Sequence, residues 1–380
     1  MTTRAAKAFS RPITIGRLTL PNRIVMSPMT RFSSTGGTAP RDLAAYYARR
    51  AAAGVGLVIT ESIYIDHPTA GNMENGSRIY GDAPLAGWSR AVEAVHAEGG
   101  VIWAQLQHVG MFRKAGDEPH PDAPAFGPSG VPMDYATDFS GAPVEIVPRV
   151  GHTMTPADID DVIRAFATSA ATAERLGFDG VELNAGHGYL IDEFFWPGTN
   201  HRTDAYNGDV AARARFAAEI VAGIRAAVSP GFPISMRLSQ WKNNNFTARN
   251  WETPDEFGIA LGALADAGTD LFHLSTRRYW EPAFDGSGLN LAGWAKKLSG
   301  KPVITVGSVG LADEFWNSLA GGDVAVTGID GLLDRLESDE FDLVAVGRPL
   351  IADPEWAAKV TAGRENEIIA FTPAALGTIY

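Results

Sequence analysis

GVELNAGHGY, residues 180–189, opens as an apolar run and closes on an amide, an imidazole and a phenol: Asn184, His187 and Tyr189. The run is compact and does not alternate cleanly between apolar and polar, the pattern of a parallel strand buried on both faces. The same pattern recurs as RIVMSPM (23–29), GLVITES (56–62), VIWAQLQ (101–107), PISMRLS (233–239), LFHLS (271–275), PVITVGS (302–308) and LVAVGRP (343–349). Between most of these lie helical patterns such as RDLAAYYARRAAAG, PADIDDVIRAFATSAATAERLG and VAARARFAAEIVAGIRAAV. Several open after Pro or Asp and stop at Gly, as helix capping requires. About eight strand–helix units from end to end predict an α/β fold of the (β/α)8 TIM-barrel type, whose usual size is ~250 residues before insertions.

The excess length is assigned to two features. Residues 9–20, FSRPITIGRLTL, alternate around Gly16 and predict an N-terminal hairpin plugging the barrel bottom. Residues 110–155, rich in Pro and Gly, are too long for a plain connection and predict a lid-like excursion after the third strand. No linker divides the chain, so residues 1–380 read as one barrel unit. A doubly wound sheet competes with the barrel. It fits less well, because no G-x-G-x-x-G follows the first strand and polar residues collect after many strands instead of at one switch point.

Composition narrows the chemistry. With 380 residues and 45% hydrophobic content the chain buries a sizeable core. A formal net charge of -12 with no dense Lys/Arg run argues against nucleic acid and anionic membrane surfaces as partners. The absence of cysteine excludes disulfides, thiolate metal sites, iron–sulfur clusters and thiol nucleophiles, so any redox chemistry needs a bound cofactor. No signal-like start or bilayer-length apolar stretch is present, which predicts a cytoplasmic protein.

Barrel active sites form at the carboxyl ends of the strands, so the residues there read as one surface. The first strand delivers Thr30, the second Glu61 and Ser62, the third Gln105 and His108, the fourth Asn184, His187 and Tyr189, and the fifth Arg237. The last two end in VGSVG (306–310) and VGRPL (346–350), the place where barrels of this type most often cradle phosphate. Singly, each residue has a plain structural reading: glycine as a turn, Arg237 in an ion pair, His108 and His273 as packing histidines. Their convergence on one face outweighs these. A phosphate cradle beside a central amide and guanidinium suits FMN, whose electronics a protein tunes by such contacts.

The chain resembles the old yellow enzyme family of FMN-dependent ene-reductases, and the likeness runs nearly end to end. It is carried by LPNRIVMSPMTR (20–31), VITES, AQLQHVGM, GFDGVELNAGHGYLIDEFFWPGTNHRTDAYNGD (177–209) and FDLVAVGRPLIADPEW (341–356), in that order. The resemblance implies that Thr30 bonds the flavin C4 carbonyl, with Ser27, Pro28, Met29 and Ser62 contacting the ring. It implies Gln105 on the pyrimidine edge, Arg237 at the N1/C2 side, and Gly307, Ser308, Gly347 and Arg348 on the phosphate. The stretch RTD with Tyr206 is read as scaffold for the loop after strand four. Two departures from the family pattern matter. Asn184-x-x-His187 stands where a His-first pair is usual, and Gln107 replaces a bulky aromatic, for which a roomier or more polar pocket is expected. Asn207 also replaces a glycine.

On this resemblance the chain is a ping-pong oxidoreductase. NADH or NADPH reduces FMN at N5, and an α,β-unsaturated carbonyl compound then takes hydride at its β-carbon. Asn184 and His187 hold the carbonyl oxygen, and Tyr189 protonates the α-carbon. No metal is expected. Three alternatives stand beside it: an oxidative amine or alcohol dehydrogenase on the same flavin face, a flavin-free phosphate-binding lyase or isomerase, and a non-catalytic flavin carrier.

Overall fold

In the computed structural model, which describes residues 2–131, 151–243, 245–312 and 324–380, the eight apolar runs become eight strands. These are β1 (Ile24–Met26), β2 (Leu57–Tyr64), β3 (Ile102–Gln107), β4 (Gly180–His187), β5 (Ile234–Lys242), β6 (Leu271–Ser275), β7 (Val303–Val306) and β8 (Leu343–Val346). Each pairs in parallel with the next, and β8 pairs with β1 to close the barrel. Between successive strands lie α1 (Arg41–Ala52), α2 (Asp82–Ala97), α3 (Pro156–Arg175), α4 (Val210–Ala227), α5 (Pro254–Asp266), α6 (Leu291–Ser299) and α7 (Asp330–Glu337).

The helix ends follow from local chemistry. Thr155 and Asp158 form a reciprocal capping box at the start of α3, with Pro156 at its first turn. Asp209, Thr253 and Asn290 accept from backbone N–H groups at the starts of α4, α5 and α6. Along α3, Ile159, Val162, Phe166, Ala170 and Ala173 recur at helical spacing and are buried, so one stripe packs on the barrel and the Asp-rich face meets solvent.

Inside the barrel, Val25, Leu57, Ile59, Trp103, Leu271, Ile304, Leu343 and Ala345 form a core of their own, closed below by Ile15 and Leu20. These two come from the expected hairpin, in which Ile13–Ile15 pairs antiparallel with Leu18–Leu20. Gly16 makes its turn at φ +57°, against the Gly231 carbonyl, where a side chain has no room. The hairpin starts at Ile13 because residues Arg4–Phe9 fold as a helix, capped by the Thr3 side chain and tied through Arg4 to Asp334 and Glu337. At the base of the 110–155 excursion, Phe126–Gly127 pairs with His152–Thr153. The part of the excursion for which a lid was expected, residues 132–150, lies outside the described residues. Among the described residues no helix is long and apolar enough to cross a membrane.

Candidate active site

A cavity of about 550 Å³ opens at the carboxyl ends of the strands, within the size range of cofactor sites. The fourteen residues assigned from the resemblance to cofactor or substrate all line it: Ser27, Pro28, Met29, Thr30, Ser62, Gln105, Asn184, His187, Tyr189, Arg237, Gly307, Ser308, Gly347 and Arg348. Among the described residues its lining includes Arg31, Arg237, Arg277 and Arg348 but no Asp or Glu. In a chain of net charge -12 this concentrates positive potential in one place, suited to an anionic ligand.

The floor is a buried polar chain. Ser62 Oγ donates to Gln105 Oε1 at 2.7 Å, and Gln105 Nε2 donates to Glu182 Oε1 at 2.8 Å. Each end of the Gln105 amide keeps a further lone pair or N–H, so it can meet both a donor and an acceptor on a ligand. Glu182 is fully buried, and burial pushes its carboxyl up, but the net shift is downward because His273 at 2.8 Å and the charge of Arg237 oppose it. The carboxylate is therefore the anionic partner that a guanidinium within a buried strand requires. Burial lowers the pKa of His273, so it meets this carboxylate as a hydrogen-bond donor and is more than a packing histidine. Arg237 Nη2 lies 3.4 Å from Ser275 Oγ, while its Nε is buried without a hydrogen-bond partner. A guanidinium N–H left without a partner in a residue that lines the cavity suits an anionic ligand group.

Glu61 and His108 turn away from the cavity. Glu61 accepts from Arg31 N at 2.8 Å and from Ser34 and Ser77, pinning the loop that carries Thr30. His108 Nε2 meets Thr69 Oγ1 at 2.8 Å and its Nδ1 accepts from Gly110 N, a satisfied packing histidine.

At the strand-seven end, Gly307 sits so close to Thr276 that a Cβ would meet its Oγ1 at 2.6 Å. Ser308 follows at φ 48°, donating its hydroxyl to the Arg277 carbonyl at 2.9 Å. Arg348 reaches the same hydroxyl at 3.4 Å from the start of the helix Arg348–Ala352. Bare backbone, a guanidinium and a tight turn form a cradle that fits a phosphate. With the amide and the unsatisfied Arg237, the residues present fit FMN.

Above this floor β4 ends in the polar triplet. Asn184 Nδ2 donates to Gln107 Oε1 at 2.8 Å, and its Oδ1 is buried without a partner. His187 occupies φ 63°, held there by its N–H to Ser239 Oγ at 2.8 Å, and its Nε2 meets Ser275 Oγ at 2.9 Å. Burial, reinforced by the charges of Arg237 and Lys242, holds its pKa well below the usual histidine range, so the imidazole is neutral. Burial pushes the Tyr189 phenol up, partly countered by the nearby side chains of Asn243 and Gln107, so it is protonated at neutral pH. Beneath this loop Asp192 accepts from Lys242 Nζ at 2.7 Å, Asn250 Nδ2 at 2.6 Å and Gly188 N at 2.6 Å. Both members of that ion pair are fully buried.

A family model described as NADH:flavin oxidoreductase / NADH oxidase matches residues 8–367. The chain belongs to that family, the old yellow enzymes. FMN is the family's cofactor and a reduced nicotinamide its reductant. The chain is 35% identical over 365 residues to an NADH oxidase of Thermoanaerobacter brockii, covering 93% of this chain and 50% of that one, so it spans about half that relative's length. It is 31% identical to an NADPH dehydrogenase of Bacillus subtilis (strain 168), covering 96% and 97% of the two chains. The structure of a morphinone reductase superposes with TM-score 0.76 at 27% identity, over 97% of this chain and 92% of that one.

Several features were not foreseen from the sequence. Ser275 joins His187 to Arg237, and only its place at the end of a buried strand hinted at it. Trp241 lies 4.6 Å from the His187 ring, and Leu376 lines the cavity from the C-terminal segment. That segment is held by Arg31, which donates to the carbonyls of Ala375, Leu376 and Thr378. Gln107, for which a roomier or more polar pocket was expected, is buried and accepts from Asn184 Nδ2. The RTD stretch does pin its loop, Arg202 reaching the carbonyls of Pro128 and Met154. Asn207 has a use too, donating to the Arg202 carbonyl at 2.8 Å.

Proposed function

We propose that the chain is an NAD(P)H-dependent ene-reductase that saturates the C=C bond of α,β-unsaturated carbonyl compounds. The observation that carries this reading is the convergence of a neutral His187, a protonated Tyr189 and Asn184 over an arginine-lined cavity that fits FMN. In this reading Ser27, Pro28, Met29, Thr30, Ser62, Gln105 and Arg237 hold the ring, and Gly307, Ser308, Gly347 and Arg348 hold the phosphate. When bound, FMN supplies hydride transfer from the nicotinamide to the substrate alkene.

The chain's own residues do the rest. Asn184 and His187 bind the carbonyl oxygen and stabilise the negative charge that develops there, a role worth ~10²–10³-fold per donor in comparable sites. Tyr189 gives its phenolic proton to the α-carbon, and the phenolate is reprotonated from water. General acid catalysis of this kind contributes ~10²–10⁴-fold. Arg237, backed by Glu182, balances anionic charge at the cavity floor. The whole chain serves as one FMN-binding unit, and we place it in the cytoplasm, where a nicotinamide pool supplies the reductant.

The test is direct. Purified protein should carry flavin absorbance, lose it anaerobically with NADPH or NADH, and regain it on adding 2-cyclohexenone. A colourless protein would contradict the cofactor assignment. Reduction by an amine or alcohol but not by a nicotinamide would make it an oxidative dehydrogenase, and reduction without reoxidation by an enone would leave a flavin carrier.

A further inference from the structure

His187 has two ring nitrogens, and which of them carries the proton decides what the imidazole offers a ligand. Its Nε2 lies 2.9 Å from the Oγ of Ser275, the last residue of β6. A hydroxyl has one proton to give and lone pairs to receive. Arg237 Nη2 stands 3.4 Å from the same oxygen, and a guanidinium only donates, so it takes a lone pair of Ser275 and not its proton. Among the described residues the one acceptor that the Ser275 hydroxyl meets is His187 Nε2. In a neutral ring that direction leaves Nε2 as the lone-pair nitrogen and puts the proton on Nδ1.

The ring is held in that setting from two sides. Trp241 packs on it at 4.6 Å, and the indole Nε1 donates to the Ser275 carbonyl at 3.2 Å. The backbone of His187 is fixed by its N–H to Ser239 Oγ. Among the described residues no group bonds Nδ1, and it is not one of the buried polar atoms left without a partner, so it is open to the cavity that His187 lines. Burial, with Arg237 and Lys242 nearby, keeps the ring neutral, which leaves the tautomer as its one freedom.

We propose that Ser275 is a positioning residue of the carbonyl clamp: its hydroxyl, with a lone pair taken by Arg237, fixes neutral His187 as the Nδ1–H tautomer, so that the imidazole meets the substrate's carbonyl oxygen with a donor. The opposite tautomer sets a lone pair against that oxygen. This deepens the ene-reductase reading and rests on it.

The test reads the tautomer and the clamp separately. Holoenzyme is prepared with ¹⁵N-labelled histidine, and the ring nitrogen shifts report which nitrogen of His187 carries the proton; the signal missing from H187A assigns it. The same samples are titrated with 4-hydroxybenzaldehyde, whose phenolate oxygen stands in for the charged carbonyl oxygen, and Kd is read from the charge-transfer band. S275A removes the hydroxyl but keeps the carbonyl that holds Trp241, and S275T keeps both. Wild type and S275T should show a protonated Nδ1 and a bare Nε2, and should bind the phenolate alike. S275A should move proton population to Nε2 and bind roughly ten-fold more weakly, the lower end of one hydrogen bond to a charged group. A proton on Nε2 in wild type overturns the proposal. So does an S275A that keeps the Nδ1 proton, or that binds the phenolate as tightly as wild type while H187A does not. Phenolate binding that H187A leaves untouched overturns the clamp reading beneath, and with it the purpose given to Ser275; the tautomer spectrum keeps the two failures apart. If S275A does not hold flavin, the wild-type spectrum decides alone.

Discussion

Removing one amine beneath the active-site loop should cost more than any surface change and should do so in a pH-dependent way. Lys242 and Asp192 are a fully buried ion pair at 2.7 Å, and Asp192 also fixes Gly188 N and Asn250. Lys242→Met leaves the carboxylate with neutral donors only. Breaking a buried pair from one side typically costs ~3–5 kcal/mol, against a total stability of roughly 5–15 kcal/mol for a folded domain. In a chain of 380 residues that corresponds to a fall in Tm of roughly 4–6 °C. The pH dependence follows from Asp192, whose carboxyl burial already pushes up and which Lys242 pulls back. Without Lys242 its folded pKa rises further above its unfolded value, so the folded state binds the extra proton. The variant is therefore least destabilised at acid pH, and its deficit grows as pH rises from about 3.9 through the raised folded pKa. Thermal unfolding of wild type and K242M from pH 4 to 8 measures this. Adding Asp192→Asn should recover much of the loss, because the amide needs no counter-charge, and the double-mutant cycle isolates the coupling. A deficit under ~1 kcal/mol, or one that does not vary with pH, would refute the reasoning.

Other outcomes follow from the same geometry. Gly307→Ala should weaken FMN retention, since its Cβ would meet Thr276 Oγ1 at 2.6 Å; flavin content after dialysis reports it. Arg237→Met should lower the flavin reduction potential by removing the cation that offsets the reduced ring, measured by equilibration with reference dyes; an unchanged potential places Arg237 in a purely structural role. The double substitution Asn184→Ala with His187→Ala should abolish the charge-transfer band of a phenolate bound over the flavin, each lost donor to a charged oxygen costing roughly 1.5–3 kcal/mol.

The barrel was legible because each strand is buried on both faces and so writes a short apolar run whatever its neighbours. Its site was legible because polar groups at strand ends, such as Gln105 and Arg237, are costly where they stand and demand partners. Contacts made across the chain left no such mark. The helix Arg4–Phe9 is too short to be stable alone and depends on Asp334 and Glu337, some 330 residues away. Arg31 clasping the Ala375 and Leu376 carbonyls is of the same kind. The partner of Gln107 belongs with these: its amide is fixed by Asn184, 77 positions on, which the sequence around it does not announce.

The central claim is that Tyr189 is the proton donor of the second half-reaction. Tyr189→Phe keeps the ring against Phe112 and removes only the phenolic O–H. Under anaerobic rapid mixing, reduction of the flavin by NADPH should proceed near the wild-type rate, while its reoxidation by 2-cyclohexenone should slow by ~10²-fold or more. Equal loss in both half-reactions, or in neither, would contradict the account.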